Sequence, residues 1–279
     1  MNIAVIGLGL IGGSFAKATK HRTSHMVYGF DRDNEVQLLA RLSGALDAPL
    51  TDELLPECEL VIVALCPAAA IEWVENHADA LGSGHCTVVD ICGVKRAVVE
   101  PMTKIAQEHG FCYIGGHPMA GRELGGFVHS VDSLFDGASM ILTPTVSPDL
   151  KTLEMLKNYF IDIGFSRMTI STPDEHDRII SYTSQLAHIV SGAYVKSPTA
   201  QQQRGFSAGS FRDMTRVARL DEKMWTELML DNADNLVDEL HTLIDNLQEY
   251  LTALEAHDAE ALCACLKAGR MAKAQAGGS

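Results

Sequence analysis

Along the first half of the chain, short apolar, β-branched runs alternate with helix-like stretches. Ile3–Gly7, Met26–Asp31, Leu60–Leu65, Thr87–Cys92, Cys112–Gly116 and Ser139–Thr143 read as strands. Their apolar character is nearly continuous, as expected of parallel strands covered on both faces rather than of half-exposed ones. Helical segments such as Ala68–Leu81 lie between them, and this alternation predicts a doubly wound parallel sheet. The pattern changes at Pro144-Thr-Val-Ser-Pro148, where two prolines and small polar residues mark a break. Beyond it the chain reads as mostly helical: Leu150–Ile163, Pro173 to about Lys196, and Met224–Leu254. The last carries Leu228, Leu236, Leu240, Leu243, Leu247, Leu251 and Leu254 at helical spacing, a stripe that needs a partner in its own domain or on a second subunit.

Composition bounds what this architecture does. With 279 residues, 47% apolar and 21% charged, the chain suits two globular domains. The formal net charge of −14 argues against nucleic acid or an anionic membrane as partner, and an anionic substrate would need specific local cations. No apolar stretch reaches the roughly 20 residues of a membrane span, and the start of the chain lacks the basic-then-apolar signature of a signal peptide. The seven cysteines form no CxxC pair and no zinc-type spacing, so they are expected reduced, in a cytoplasmic protein with no metal.

The first strand runs directly into Gly7-Leu-Gly9-Leu-Ile-Gly12, which opens a helix. Gly7 permits the tight turn, Gly9 lets a pyrophosphate approach the backbone, and Gly12 lets helix and strand pack closely. The helix N-terminus, at Leu10 and Ile11, offers unpaired N–H groups to phosphates. Asp31 ends the second strand, where a carboxylate suits the ribose hydroxyls of NAD and repels the extra phosphate of NADP. Arg32 is the counter-indication, since a guanidinium can take that phosphate. Leu65-Cys66-Pro67 and Asp90 end further strands, where ligands of such sheets bind. These features predict a Rossmann-type NAD-binding domain over 1–146, followed by an all-α domain over 147–279 that is expected, by analogy, to serve substrate binding and dimerisation.

Chemistry is concentrated in Gly115-Gly116-His117-Pro118-Met119-Ala120-Gly121. Pro118 keeps His117 out of the helical region, and the flanking glycines are read as leaving space around it. A histidine here is an acid–base candidate or a turn histidine bonded to backbone.

GGHPMAG with Glu123, Thr172-Pro-Asp-Glu-His-Asp177, Ser184-Gln-Leu-Ala-His188, Gly209-Ser-Phe-Arg-Asp213-Met-Thr-Arg216 and Met224-Trp225 together resemble prephenate dehydrogenase, in order and through almost the whole chain. The resemblance implies oxidative decarboxylation of prephenate to 4-hydroxyphenylpyruvate in tyrosine biosynthesis, with NAD as hydride acceptor. It makes His117 the base that takes the ring hydroxyl proton, and Arg216 the grip on a carboxylate. His188 becomes a second active-site histidine in polar contact with substrate, with Gln185, Glu123 and Trp225 around it. Trp225 and Asp213 resemble residues that reach the pocket from a partner subunit, and by fold-level analogy the helical domain forms a homodimer. His176 is read as capping or orienting its helix, without a catalytic role. The chain leaves no room for a further regulatory or mutase domain, which implies a monofunctional enzyme.

Two positions depart from the family pattern. Gly93 stands where many members have Ser or Thr, so His117 is expected to be oriented by water, backbone or Cys92. Gln185 stands where many have a histidine. It is not acidic and so does not favour the amine of arogenate, which leaves prephenate as the reading and a cyclohexadienyl or arogenate dehydrogenase as the alternative. Two rivals remain. One is a hydroxyacid-type dehydrogenase, which would use a helix-borne lysine. The other is a catalytically silent NAD-binding regulatory protein.

Overall fold

A computed structural model describes residues 1–84, 86–145 and 150–277. Most of the expected proline break, the expected division between residues 146 and 147, and the last two residues of the chain fall outside that set.

Eight strands form one sheet: β1 Asn2–Ile6, β2 Met26–Phe30, β3 Ala48–Pro49, β4 Leu60–Val63, β5 Thr87–Asp90, β6 Cys112–Pro118, β7 Ser139–Thr143 and β8 Arg167–Ile170. Their order is β3-β2-β1-β4-β5-β6-β7-β8. The first six are parallel, and β7 turns antiparallel to β6, setting His117 opposite Ile141. All six expected strands are present. The two missed ones, β3 and β8, are a two-residue bridge and a mostly exposed edge strand, neither of which carries a buried apolar run.

Because side chains alternate across a strand, each face of the sheet builds its own core. Ile3 and Val5 of β1 pack with Phe15, Phe135, Tyr159, Phe160 and Phe165. Ala4 and Ile6 join Val61, Val63, Trp73, Val88, Val98 and Met102 on the other face. The helices that supply these residues are α1 Leu10–Arg22, α2 Asn34–Leu42, α3 Pro67–Asn76, α4 Ala78–Ser83, α5 Arg96–His109 and α6 Leu150–Asp162. The helix expected over Ala68–Leu81 is broken at His77, whose Nδ1 bonds the Trp73 carbonyl at 2.7 Å. Such a side-chain bond competes with the helical ladder. Although α6 lies past the expected division, it packs Leu156, Tyr159 and Phe160 into the sheet's core.

The next helical stretch, expected from Pro173 to about Lys196, is α7 Pro173–Ile180, a π turn over Ser181–Leu186, and α8 Ala187–Val195. Thr172 caps α7 by accepting the Glu175 N–H, with Pro173 at the first position, a combination suited to a helix start. After α9 Gly209–Thr215 comes α10 Glu222–Leu230, capped by Asp221. The helix expected over Met224–Leu254 is interrupted at Asp231–Asn232, because the fully buried Asn232 side chain is spent on tertiary hydrogen bonds.

The chain divides into two compact units, Met1–Asn232 and Ala233–Ser279. The second is a hairpin of α11 Ala233–Glu255 and α12 Ala259–Ala276, fastened by Tyr250 Oη donating to the Cys265 carbonyl at 3.1 Å. Among the described residues, no helix is long and apolar enough to cross a membrane.

Candidate active site

In this topology the order of connections reverses between β1 and β4, so a crevice opens at the carboxyl ends of these strands. Gly7 turns the chain out of β1 at φ +85°, and a Cβ there would stand 2.5 Å from the Ala64 carbonyl oxygen. A Cβ on Gly12 would meet the Gly7 oxygen at 1.9 Å. Around Gly9, by contrast, nothing lies within 4 Å of an added Cβ. Gly9, Leu10 and Ile11 are partly exposed, and no side chain caps the N-terminus of α1. The loop therefore has two packed glycines and one open one, the arrangement a phosphate cradle needs. Asp31 follows β2 directly, with its Oδ2 accepting the Leu8 N–H at 2.7 Å and its Oδ1 accepting the Asp33 N–H at 2.9 Å. These bonds hold the carboxylate beside the Gly-rich turn, and Arg32 is exposed next to it. At the end of β4, Leu65 and Cys66 are the accessible residues. Pro67 is buried as the start of α3.

Asp90 does not serve as a cofactor contact, contrary to its expected role. It is fully buried and ion-paired to Lys95, itself 0% exposed. Its oxygens also accept from Tyr113 Oη at 2.7 Å and from the Cys92 N–H at 2.9 Å. Lys95 Nζ further donates to the Gly116 carbonyl at 2.7 Å. A buried pair satisfied this fully is structural, and it fixes the strand that leads into His117. Gly115 and Gly116 do not leave space around His117 either. A Cβ on Gly115 would strike Thr143 Oγ1 at 2.4 Å, and one on Gly116 the Asp90 carbonyl oxygen at 2.7 Å.

His117 is the penultimate residue of β6 and partly exposed. Its Nδ1 lies 2.8 Å from Nε2 of His176, whose Nδ1 lies 2.6 Å from Asp177 Oδ1. Both partners come from α7 and are buried. The Asp177 carboxyl is held below its ordinary range by the His176 hydrogen bond and by the Arg96 and Lys95 N–H groups, against the opposing effect of burial. A carboxylate only accepts, so His176 Nδ1 carries a proton; burial lowers the pKa of this ring, so it rests neutral and its Nε2 is a lone pair. His117 Nδ1 must then be the donor to His176, which leaves His117 Nε2 as a bare acceptor. No described residue bonds that nitrogen. Burial, then His176 and Lys95, push the His117 pKa well below 6.5, so the imidazole is neutral at pH 7.

Of the expected orienters of His117, Cys92 is otherwise engaged. The Cys92 thiol donates to the Leu65 carbonyl at 3.4 Å. Gly93 itself carries no hydroxyl, and Leu228 packs against it, with its Cδ1 3.3 Å from where a Cβ would stand. His176 supplies the missing partner. Its motif was visible in the sequence, but its contact with a strand residue 59 positions earlier was not.

Arg216 Nη1 donates to Glu123 Oε1 at 2.9 Å, with the guanidinium side chain 64% exposed. The pairing of Arg216 with Glu123 unites two expected site residues, and it depresses the Glu123 carboxyl. His188 Nδ1 bonds the carbonyl of Val217, the residue after Arg216, at 2.8 Å. Its ring packs on Trp225, centroids 3.8 Å apart, and burial lowers its pKa. Twelve positions separate His176 from His188. On an uninterrupted α-helix, at ~100° per residue, they would lie ~120° apart. The π turn absorbs about one residue and brings them to within ~20° of a common face. Gln185, expected to touch substrate, is buried in that turn. Its Nε2 donates to the Leu228 carbonyl at 2.8 Å, and its Oε1 accepts from Asn232 at 2.8 Å. Both ends are spent on the fold. Asp213 is exposed beside Arg212, 3.9 Å away.

Comparison with known proteins agrees with this arrangement. Residues 15–168 match the family model described as "Prephenate dehydrogenase, nucleotide-binding domain", and residues 172–268 match "Prephenate dehydrogenase, dimerization domain". The prephenate dehydrogenase of Bacillus subtilis is 30% identical over 93% of this chain and 72% of its own length. The cyclohexadienyl dehydrogenase of Zymomonas mobilis is 30% identical over 98% of this chain and 94% of its own. A crystal structure of prephenate dehydrogenase from Aquifex aeolicus, in complex with hydroxyphenyl propionate and NAD+, superposes with a TM-score of 0.81 at 26% identity, covering 99% of this chain and 98% of that one. With both halves of the chain matched in order, and with a relative of that description 30% identical over 72% of its own length, the chain belongs to the prephenate dehydrogenase family.

Proposed function

We propose that this chain catalyses NAD-dependent oxidation and decarboxylation of a cyclohexadienyl acid, with prephenate as substrate and His117 as base. The observation that carries the reading is the bare Nε2 of His117, fixed as a neutral acceptor at the carboxyl end of β6 by His176 and Asp177. A neutral imidazole lone pair is what a ring hydroxyl needs to give up its proton near neutral pH.

Gly7, Gly9 and Gly12 with the first turn of α1 fit the pyrophosphate of NAD, and Asp31 fits the adenine-side ribose. Leu65 and Cys66 border the nicotinamide side. When bound, NAD supplies the hydride acceptor. His117 takes the hydroxyl proton as the ring carbon becomes a ketone. Loss of the ring carboxylate as CO2 then yields an aromatic ring, which drives that step. Arg216 holds a substrate carboxylate through its remaining N–H donors, so Glu123 occupies one edge of the guanidinium and the substrate another. Trp225 fixes the plane of His188. The helical part, from α7 onward, thus supplies substrate contacts to a nucleotide-binding part.

A second reading, arogenate, is favoured by one observation. His188 donates from Nδ1 to the Val217 carbonyl, which leaves Nε2 an acceptor on a ring whose pKa is depressed. Such a nitrogen suits the ammonium of an amino acid side chain better than the oxygens of a keto acid.

The homodimer reading rests on α11, which exposes Val237, Ile244, Leu247, Leu251 and Leu254 along one helical stripe. A cytoplasmic setting is supported by the seven free cysteines. NADH formation by the purified protein, with prephenate against arogenate and NAD against NADP, tests the assignment. Turnover of neither acid, with NAD still bound, would sink it.

A further inference from the structure

The reading of His117 as base leaves open where the proton goes. His117 lies in a run of three groups, each within 2.8 Å of the next: His117 Nδ1 to His176 Nε2, and His176 Nδ1 to Asp177 Oδ1. Only the inner imidazole touches a carboxylate. The groups facing His176 are Asp177 on its own helix, His117 on β6, the Asp90–Lys95 pair from β5 and the N-terminus of α5, and Arg96, whose Nε is 3.4 Å from Asp177 Oδ2. Lys95 opposes a second positive charge at either ring, but Asp90 pairs with it directly. Asp177 is held in place by the backbone N–H groups of Lys95 and Arg96, at 2.8 and 2.9 Å, so its charge cannot turn away from His176.

We infer that His176 is the proton store of the reaction, and that the substrate proton is passed inward through His117 by a relay in which both proton transfers share one transition state. This inference rests on His117 being the base. In the relay the substrate O–H bond breaks and its proton bonds to His117 Nε2. The His117 Nδ1–H bond breaks and that proton bonds to His176 Nε2. The two electrons and the hydrogen of the ring C–H bond leave as hydride to the nicotinamide cofactor, and the C–O bond becomes a ketone. His117 ends neutral with its proton on Nε2. His176 ends as an imidazolium, donating from Nδ1 to Asp177 and from Nε2 to His117. When the ring carboxylate leaves as CO2, the electrons of the broken C–C bond come to rest on the ring oxygen as a phenolate; reversal of the two transfers returns the stored proton to that oxygen, giving the phenol and resetting the pair. Burial depresses both rings, but Asp177 offsets it at His176 alone, which favours the inner ring as the resting place of the charge. Hydrogen-bonded runs of this kind strengthen one another inside a protein.

The test is single-turnover NADH formation from prephenate in mixtures of H2O and D2O. Two protons in flight predict a curved dependence of the rate on deuterium fraction in the unaltered enzyme. His176→Gln keeps an acceptor for His117 Nδ1–H but holds no proton. It is expected to slow the single turnover by about tenfold or more and to make the dependence linear, with NADH affinity and melting temperature retained. A linear dependence in the unaltered enzyme, or a smaller loss in a folded His176→Gln protein, overturns the relay. Should that variant not fold, the unaltered enzyme alone still decides. His117→Gln separates the two claims. Its near-complete loss of turnover supports His117 as base whatever His176 does, and its retention of turnover refutes that reading directly.

Discussion

Asp177 of α7 closes the N-terminus of α5, accepting the backbone N–H groups of Lys95 and Arg96 at 2.8 and 2.9 Å while its neighbour His176 reaches His117. One carboxylate therefore ties the helical region to the sheet and aligns the base. Asp177→Ala leaves two N–H donors without their partner, one of them on the fully buried Lys95. It is expected to cost about 3 kcal/mol or more, read as a lower urea midpoint, together with loss of turnover in whatever fraction remains folded.

The depressed pKa values of His117 and His176 fix the sign of a pH effect. Both rings are neutral above their lowered values, so kcat/KM is expected to hold level from neutrality down past pH 6.5 and to fall only below it. Stability follows in the same direction. The unfolded chain takes up protons at ordinary histidine pKa values while the fold resists, so stability is full above about pH 6.5 and declines as pH drops through it. A kcat/KM profile with its acid limb above pH 6.5 would contradict the neutral-base assignment.

Asp31 holds the Leu8 N–H and faces the Gly-rich turn. Asp31→Asn is expected to raise the KM for NAD by about tenfold or more, the loss of one charge-assisted hydrogen bond, and to narrow the NAD to NADP ratio of kcat/KM. Steady-state kinetics with both cofactors measures it. An unchanged ratio would remove Asp31 from the cofactor site.

Arg216 and Glu123 form an exposed pair, which contributes little to stability. Arg216→Gln is therefore expected to leave the melting temperature within a degree or two, roughly what surface changes do. It is also expected to lower kcat/KM by about 10- to 100-fold through lost carboxylate binding. Glu123→Gln is likewise expected to leave the melting temperature nearly unchanged. An Arg216 variant with normal kcat/KM would return this residue to a surface role.

Gln185 separates a structural from a recognition role. Both of its ends are bonded inside the protein, so Gln185→Ala is expected to destabilise the fold by about 2 kcal/mol or more. The ratio of prephenate to arogenate turnover should stay the same. A shifted ratio in a stable variant would restore Gln185 as a substrate contact.

Gln185 also shows where reading by sequence fails. It stands three residues before His188 in the same motif, yet in the π turn it faces into the protein, where Asn232 and Leu228 bond its two ends. Asp90 fails similarly: a strand-end carboxylate reads as a ligand contact until Lys95 is seen bonded to it. The shape of the Gly-rich turn is legible in the sequence because it is a matter of local backbone. A glycine's positive φ and the absence of a Cβ act within a few residues of their own position.

The sequence by itself determined the alternation of strands and helices, the cradle at Gly7, Gly9 and Gly12, the carboxylate at Asp31, and the candidacy of His117 and Arg216. Each is carried by periodicity or by a short motif, signals that local sterics and apolar burial impose on neighbouring residues. Tertiary structure alone decided which groups meet. It reversed β7, broke the helix at Asn232 and packed Leu228 against Gly93. It also placed His176 and Asp177 behind His117. A hydrogen bond between residues 59 positions apart depends on how the intervening chain packs, and no pattern in either segment records its partner.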